Sequence, residues 1–343
     1  MLRVRTVVLS LLLLTACGLA QAAPALDPAS TNAAGPPASP VPRGKRPEAA
    51  VIKAQVLLDR AGFSPGEISG RLEENTRKAI AAFESERGLT VDGTLTRDLW
   101  TALTGSSDEP VLTDYAISAA DVGGPFLHKL PAKMEAMKSL EHLSYTSPRQ
   151  ALAEKFHMSE ALLAALNPGK NLAAGTMIVV ANEGARPAAK VTRIEIDKPG
   201  HLLRAYGAGD MLVALYPASI GSTEKPAPSG TFKVTRVTHN PTYHYDPAYA
   251  FRGVKTKKPF TIKPGPNNPV GTVWIGLTDK GYGIHGTPDP SRVSKSYSHG
   301  CIRLTNWDAE ALAAMVTKGA TVDFLEGNQP AAPVASADEK KKR

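Results

Sequence analysis

The segment Gly283-Ile284-His285-Gly286-Thr287, followed after a spacer by Tyr297-Ser298-His299-Gly300-Cys301-Ile302-Arg303-Leu304, gathers one cysteine, two histidines and three glycines. A cysteine is a poor nucleophile as the thiol, whose free pKa is about 8.5. A nearby imidazole can take its proton and raise the thiolate fraction. Flanking glycines allow close backbone approach, so that amide N–H groups can face a developing oxyanion. Three readings of these residues compete: thiol catalysis, a metal site built from one thiolate and two imidazoles, and a structural role. A hydrolytic zinc site would also need a separate carboxylate base, and none is close in sequence.

Outward from this segment the periodicity is that of strands. Val191, Arg193-Ile194-Glu195-Ile196, Leu202–Tyr206, Met211–Leu215 and Thr231–Thr235 are short runs separated by Gly, Pro and Asp, and Val273–Leu277 and Tyr282–His285 follow. Short strands spaced about 8–12 residues apart predict an antiparallel sandwich or barrel. Thr305 or Asn306 can cap a helix running through Glu310 and Leu312 to Val316, ended by Gly319, with a last strand at Thr321–Leu325. Residues 239–270 combine Tyr243, His244, Tyr245, Tyr249 and Phe251 with Lys255, Lys257 and Lys258 among prolines. An aromatic, basic loop of this length reads as a functional lid over a cleft.

Taken together, these residues resemble the YkuD-type L,D-transpeptidase family, whose signature is His-Gly-Thr, a spacer, then Ser-His-Gly-Cys-x-Arg. Pro228-Ser229-Gly230-Thr231-Phe232-Lys233-Val234 is similar to the family's P-x-G-x-F strand, and Asn240-Pro241-Thr242-Tyr243 and Pro264–Gly271 are similar to its later loops. Some members carry Asn where this chain has Arg303. The resemblance implies a catalytic domain over residues 190–326 that acts on peptidoglycan stem peptides. It implies Cys301 as nucleophile, attacking the carbonyl of the third stem residue (usually a diamino acid) and expelling the terminal D-Ala. His285 carries over as proton acceptor and donor, oriented by the Gly286 carbonyl. The N–H groups of Gly300 and Cys301 are candidates for the oxyanion hole. Ser298 and His299 are supporting groups, and Arg303 holds a substrate carboxylate or braces the loop. Tyr243, Tyr245, Tyr282 and Trp274 are the expected substrate-binding residues. The acyl group would pass to a second stem peptide, giving a 3-3 cross-link, or to a wall-anchored lipoprotein. Resolution by water would make the same site a carboxypeptidase or hydrolase, and a silent site would leave a wall-binding lipoprotein. Neither a nucleotide nor a metal cofactor is expected.

Further towards the N-terminus the period becomes helical. Residues 50–105 read as three helices: Val51, Ala54 and Val56–Leu58; then Thr76, Ile80 and Phe83; then Leu95, Leu99, Trp100 and Leu103. The connections repeat, Ile68-Ser69-Gly70-Arg71-Leu72 answering Val91-Asp92-Gly93-Thr94-Leu95. This pattern resembles the three-helix peptidoglycan-binding domain of wall enzymes, with Ser69 in place of the first turn's usual Asp and Glu84 in place of a usual Gln. Residues 110–185 suggest two short helices around 148–166, a turn at Asn167-Pro168-Gly169 and a strand at Thr176–Val180. That order resembles a LysM module. His128, His142 and His157 lack metal-ligand spacing and are expected to be solvated or capping groups. The fold class expected for the whole chain is therefore multidomain α+β.

The first 22 residues carry Arg3, Arg5 and a short apolar run, the layout of a secretory signal. Leu14-Thr15-Ala16-Cys17 resembles a lipobox, and Ala20-Gln21-Ala22 fits ordinary cleavage. The lipobox abuts the apolar run and is the preferred reading, with an outer-membrane lipid anchor and a periplasmic location as its consequence. Residues 23–49, rich in Ala and Pro, are expected to be a flexible linker, and 327–343 a disordered tail. With Cys17 acylated or removed, Cys301 is the lone thiol of an exported protein. A formal net charge of +8 over 343 residues falls short of a nucleic-acid stripe and fits an anionic wall or lipid surface.

Overall fold

The computed structural model describes residues 26–327 apart from 39–40, 42–43, 45, 106, 185–188, 223–224, 250–253, 297 and 299. The signal segment, Cys17, His299 and the tail from 328 onward lie outside the described residues.

The stretch expected to be a linker is folded in part. Helix α1 (Pro28–Asn32) is capped by Asp27. Asn32 ends it by pairing with both backbone groups of Leu112, at 2.8 and 3.0 Å, and Thr31 is fully buried. Lys53 adds bonds to the Asn32 and Ala34 carbonyls.

Helices α2 (Ala49–Arg60), α3 (Glu74–Glu86) and α4 (Arg97–Thr104) form the expected three-helix unit. Leu57, Leu58, Ile80, Phe83, Leu99 and Leu103 meet in its core. The duplicated turns are tied the same way. Gln55 on α2 accepts the Ser69 and Gly70 amides at 3.0 and 2.8 Å. Glu84 on α3 accepts the Asp92 and Gly93 amides at 3.0 and 2.9 Å. Glu84 thus closes the second turn, as Gln55 closes the first.

Next come β1 (Leu112–Ala116), α5 (Ala119–Val122), α6 (Met134–Met137), α7 (Pro148–Lys155), α8 (Glu160–Leu166) and β2 (Met177–Ala181). β1 and β2 pair antiparallel, so this is a βααβ unit with residues 117–147 inserted after its first strand. Asn167 closes α8 onto β2, its carboxamide bonded to both backbone groups of Val179 at 2.7 and 2.8 Å. His128 and His142 are exposed, but His157 departs from expectation. It is buried, bonded to Asp59 at 2.7 Å and stacked on Trp307 with ring centroids 5.4 Å apart. It is a junction between three parts of the chain, a role that its local sequence does not announce.

The remainder is one nine-stranded sheet with the order β5-β4-β3-β13-β7-β10-β11-β12-β6. Its members are β3 (Val191–Asp197), β4 (Leu202–Tyr206), β5 (Leu212–Pro217), β6 (Ser219–Ile220), β7 (Gly230–His239), β10 (Val273–Leu277), β11 (Gly283–His285), β12 (Ile302–Arg303) and β13 (Val316–Leu325). The strands β5 and β6 lie at opposite ends of this order yet are separated only by Ala218, so the sheet curls until its edges nearly meet. The corner is in β7. Gly230–Lys233 pair with β13, Val234–His239 pair with β10, and Thr235 is an extra residue in the second ladder. Its hydroxyl donates to the Gly276 carbonyl at 2.9 Å, and such a bulge bends and twists the strand. Helix α9 (Asn306–Met315), capped by Thr305, packs on β10 and β11. It ends at Met315, and β13 begins at once, so Gly319 lies inside the strand and does not stop the helix. The expected lid contains a hairpin of β8 (Tyr243–Tyr245) and β9 (Phe260–Ile262). No helix among the described residues is long and apolar enough to cross a membrane.

Candidate active site

β11 ends at His285 and runs parallel to β12, with Ile284 opposite Ile302 and His285 opposite Arg303. This register brings the two halves of the motif together and sets Cys301, just before β12, beside the turn entering β11. The Cys301 thiol donates to the Gly281 carbonyl at 3.6 Å, and the Gly283 amide donates to the sulfur. Burial pushes this thiol up to about 11, although the Gly283 amide and the Arg303 charge both favour the thiolate.

His285 is 4% exposed. Its Nδ1–H donates to the Gly286 carbonyl at 2.6 Å, and Trp274 stacks on the ring at 5.5 Å between centroids. A carbonyl only accepts, so the neutral imidazole carries its proton on Nδ1 and offers Nε2 as a base. Burial, with the Arg303 charge second, pushes the imidazole down to about 3, against the Gly286 bond. The ring is therefore neutral across the ordinary pH range.

Arg303 supplies the local positive charge. Its Nε has no hydrogen-bond partner among the described residues. Burial lowers its guanidinium pKa, while Cys301 and Asp289 raise it. Ser298 is buried and its hydroxyl donates to the Cys301 carbonyl, while its amide donates to Gly221 at 3.0 Å. Gly300 has φ +102°, a conformation that a residue with a Cβ adopts at a cost, and an added Cβ would lie 3.0 Å from the Tyr282 ring.

The four expected substrate-binding aromatics divide. Tyr282 lies against Gly300, and Trp274 backs the His285 ring. Tyr243 and Tyr245 belong to the β8–β9 hairpin. Tyr245 is buried there, stacked on Phe260 at 4.7 Å. Asn306, which the sequence offers only as an alternative helix cap, has a different place, since Thr305 is the cap. Its Oδ1 accepts the Thr272 amide at 3.2 Å and crowds Gly286, where an added Cβ would lie 2.1 Å from it.

A thiol just before β12 and a base-competent imidazole on the neighbouring β11 of a nearly closed barrel fit the class of thiol acyl-transfer enzymes. The comparisons give the same class. Residues 191–324 match the L,D-transpeptidase catalytic domain family, YkuD, and residues 47–103 match the family described as "Putative peptidoglycan binding domain". A relative from Bacillus licheniformis named "Putative L,D-transpeptidase YkuD" is 31% identical over 179 residues, covering 51% of this chain and 92% of that protein. One from Escherichia coli named "Probable L,D-transpeptidase YbiS" is 29% identical, covering 53% of this chain and 61% of that one. Among solved structures, an L,D-transpeptidase from Mycobacterium smegmatis matches at 22% identity and a TM-score of 0.31, covering 44% of this chain and 63% of that chain. The chain belongs to the L,D-transpeptidase family, with a peptidoglycan-binding domain preceding the catalytic one.

Proposed function

We propose that this chain is an exported enzyme that acylates Cys301 with a peptidoglycan stem peptide and passes the acyl group to an amine, forming 3-3 cross-links. The observation that supports the reading is the parallel register of β11 on β12: with His285 opposite Arg303, the alternation of side chains sets Cys301, two residues before Arg303, on the same face as the neutral His285 imidazole. Nε2 of His285 takes the thiol proton as sulfur attacks the third-residue carbonyl. The oxyanion lies towards the Gly300 and Cys301 amides. On collapse the C–N bond to the terminal D-Ala breaks and the imidazolium returns the proton to the departing amine. An acceptor amine, its proton taken by His285, then opens the thioester and regenerates the thiol. Arg303 stabilises the thiolate, and its Nε, which has no partner among the described residues, can meet a substrate carboxylate. Ser298 supports the loop through its bond to the Cys301 carbonyl, and His299 is the motif's other supporting residue. Residues 50–105 and the LysM-like 110–185 segment hold the enzyme on its polymer, and a lipid at Cys17 would tether it to the outer membrane.

The test is incubation of the purified protein with a tetrapeptide muropeptide and mass analysis of the products, beside Cys301→Ala and His285→Ala. Dimers lacking one D-Ala, lost with Cys301 and strongly reduced without His285, are the expected result. Tripeptide without dimers would assign the enzyme to hydrolysis or to an absent protein acceptor. Dimer formation by Cys301→Ala would refute the mechanism.

A further inference from the structure

Helix α7 lies outside the residues that match the catalytic family, yet it reaches the catalytic histidine's support. Oε1 of Glu154 accepts two bonds, from the Tyr145 hydroxyl at 2.9 Å and from Asn306 Nδ2 at 2.9 Å. Nδ2 also donates to the Pro266 carbonyl at 3.2 Å. With its donor end held by two acceptors, the carboxamide can present only Oδ1 to the Thr272 amide and to Gly286. Gly286 is the residue whose carbonyl receives the His285 Nδ1–H. From carboxylate to imidazole the path is one side chain and one peptide unit.

We propose that Glu154 is a positioning residue for His285: it fixes the Asn306 carboxamide, which holds the Gly286 backbone and through it the orientation of the imidazole. The βααβ segment is then part of the catalytic unit. The inference rests on His285 acting as the base. It also gives the enzyme a pH response. The titratable groups facing Glu154 are Tyr145 from the segment before α7, Glu310 on α9 and His157 just beyond α7. Burial is the main force pushing the Glu154 carboxyl up to about 7, with Glu310 adding to it, against the Asn306 and Tyr145 bonds and His157. As a carboxylate it holds Asn306 by a charge-assisted bond, and protonation replaces this with a weaker neutral one. Turnover should therefore fall as pH drops through about 7, a range in which His285 itself stays neutral.

The experiment compares the full chain with Glu154→Ala and Glu154→Gln, measuring kcat and KM on the tetrapeptide muropeptide from about pH 5 to about pH 9. The His285 Nδ1–H resonance is followed by NMR in the same samples. Glu154→Ala should lower kcat by about 10- to 100-fold with KM unchanged, the scale on which a misplaced catalytic group is felt, and should shift that resonance. Glu154→Gln, which keeps an acceptor oxygen, should restore most of kcat and remove the acid limb near pH 7. Wild-type kcat per folded molecule and an unmoved resonance in Glu154→Ala would overturn the inference. His285→Ala is the control: undiminished turnover there would remove the base itself. Loss there, with none in Glu154→Ala, would overturn the positioning role alone.

Discussion

Burial acts on Cys301 and His285 in opposite directions, raising the thiol to about 11 and lowering the imidazole to about 3. At neutral pH the pair is thus thiol and imidazole, and no standing ion pair holds a thiolate ready. The proton moves only when a carbonyl arrives to take the developing charge. Below its pKa a thiol gains about tenfold in thiolate per pH unit, and the thiolate is what alkylating agents attack. Alkylation of Cys301 by iodoacetamide should therefore keep rising from about pH 7 to about pH 10. A plateau already reached near neutrality would show an ion pair and refute this description. Cys301 and His285 are legible in the sequence because their residue types and flanking glycines concentrate chemistry in one short segment. Asn306 and Glu154 are not, because they meet across 152 positions and each is an ordinary polar residue on its own helix. The aromatics show the same limit. A tyrosine suits a core as well as a ligand, and only the fold distinguishes Tyr245, packed on Phe260, from Tyr282, beside the nucleophile's loop.

Among elements, α9 matters most to the site, because its first residue is Asn306. Its start is fixed by Thr305, fully buried, whose hydroxyl accepts the Asp308 amide at 3.1 Å. Removing a cap of this kind costs about 1 kcal/mol, and up to about 2 at a demanding site. Thr305→Ala should lose about that much in urea denaturation, with a parallel drop in turnover as Asn306 loosens, whereas Thr305→Ser should keep both. Equal stability of the two variants would show that the hydroxyl bond contributes nothing. Elements with many residues and a clear period, such as α2, α3, β3 and β10, are readable from the chain alone. β1 is not, since only the first residue of Leu112–Ala116 is fully buried and no alternation marks the strand. β6 and β12 are two residues each, too short for any period, and exist because the barrel's curl brings β5's continuation to the far edge. Helix α1 escapes notice for a related reason. Its composition is that of a linker, and it is held by side chains that bond to distant backbone.

Over the whole molecule, the peptidoglycan-binding unit is not a bead on a string. Its Gly62–Ser64 segment pairs with the outer edge of β5: Leu215 donates to Gly62 at 2.8 Å and accepts from Ser64 at 2.9 Å. Without that segment β5 would be an open sheet edge, the kind of surface that invites pairing with another chain. The core is continuous across this seam, with Leu202 and Leu215 of the catalytic sheet clustering with the helical unit's residues. Ser64 reaches Asp308 at 2.9 Å, and Asn75 on α3 donates to the Val293 carbonyl at 3.1 Å, inside the loop that joins His285 to Cys301. Fully burying a leucine is worth about 1.5–3 kcal/mol, and each seam hydrogen bond exchanged for water about 0.5–1.5 kcal/mol. A catalytic fragment cut at residue 190 would expose two leucines and an edge at once, a loss comparable with the whole stability of a domain of about 5–15 kcal/mol. That fragment should aggregate or melt far below the intact chain, and the intact chain should unfold in a single calorimetric transition. A soluble fragment with the parent's melting temperature would show instead that the two units are energetically independent.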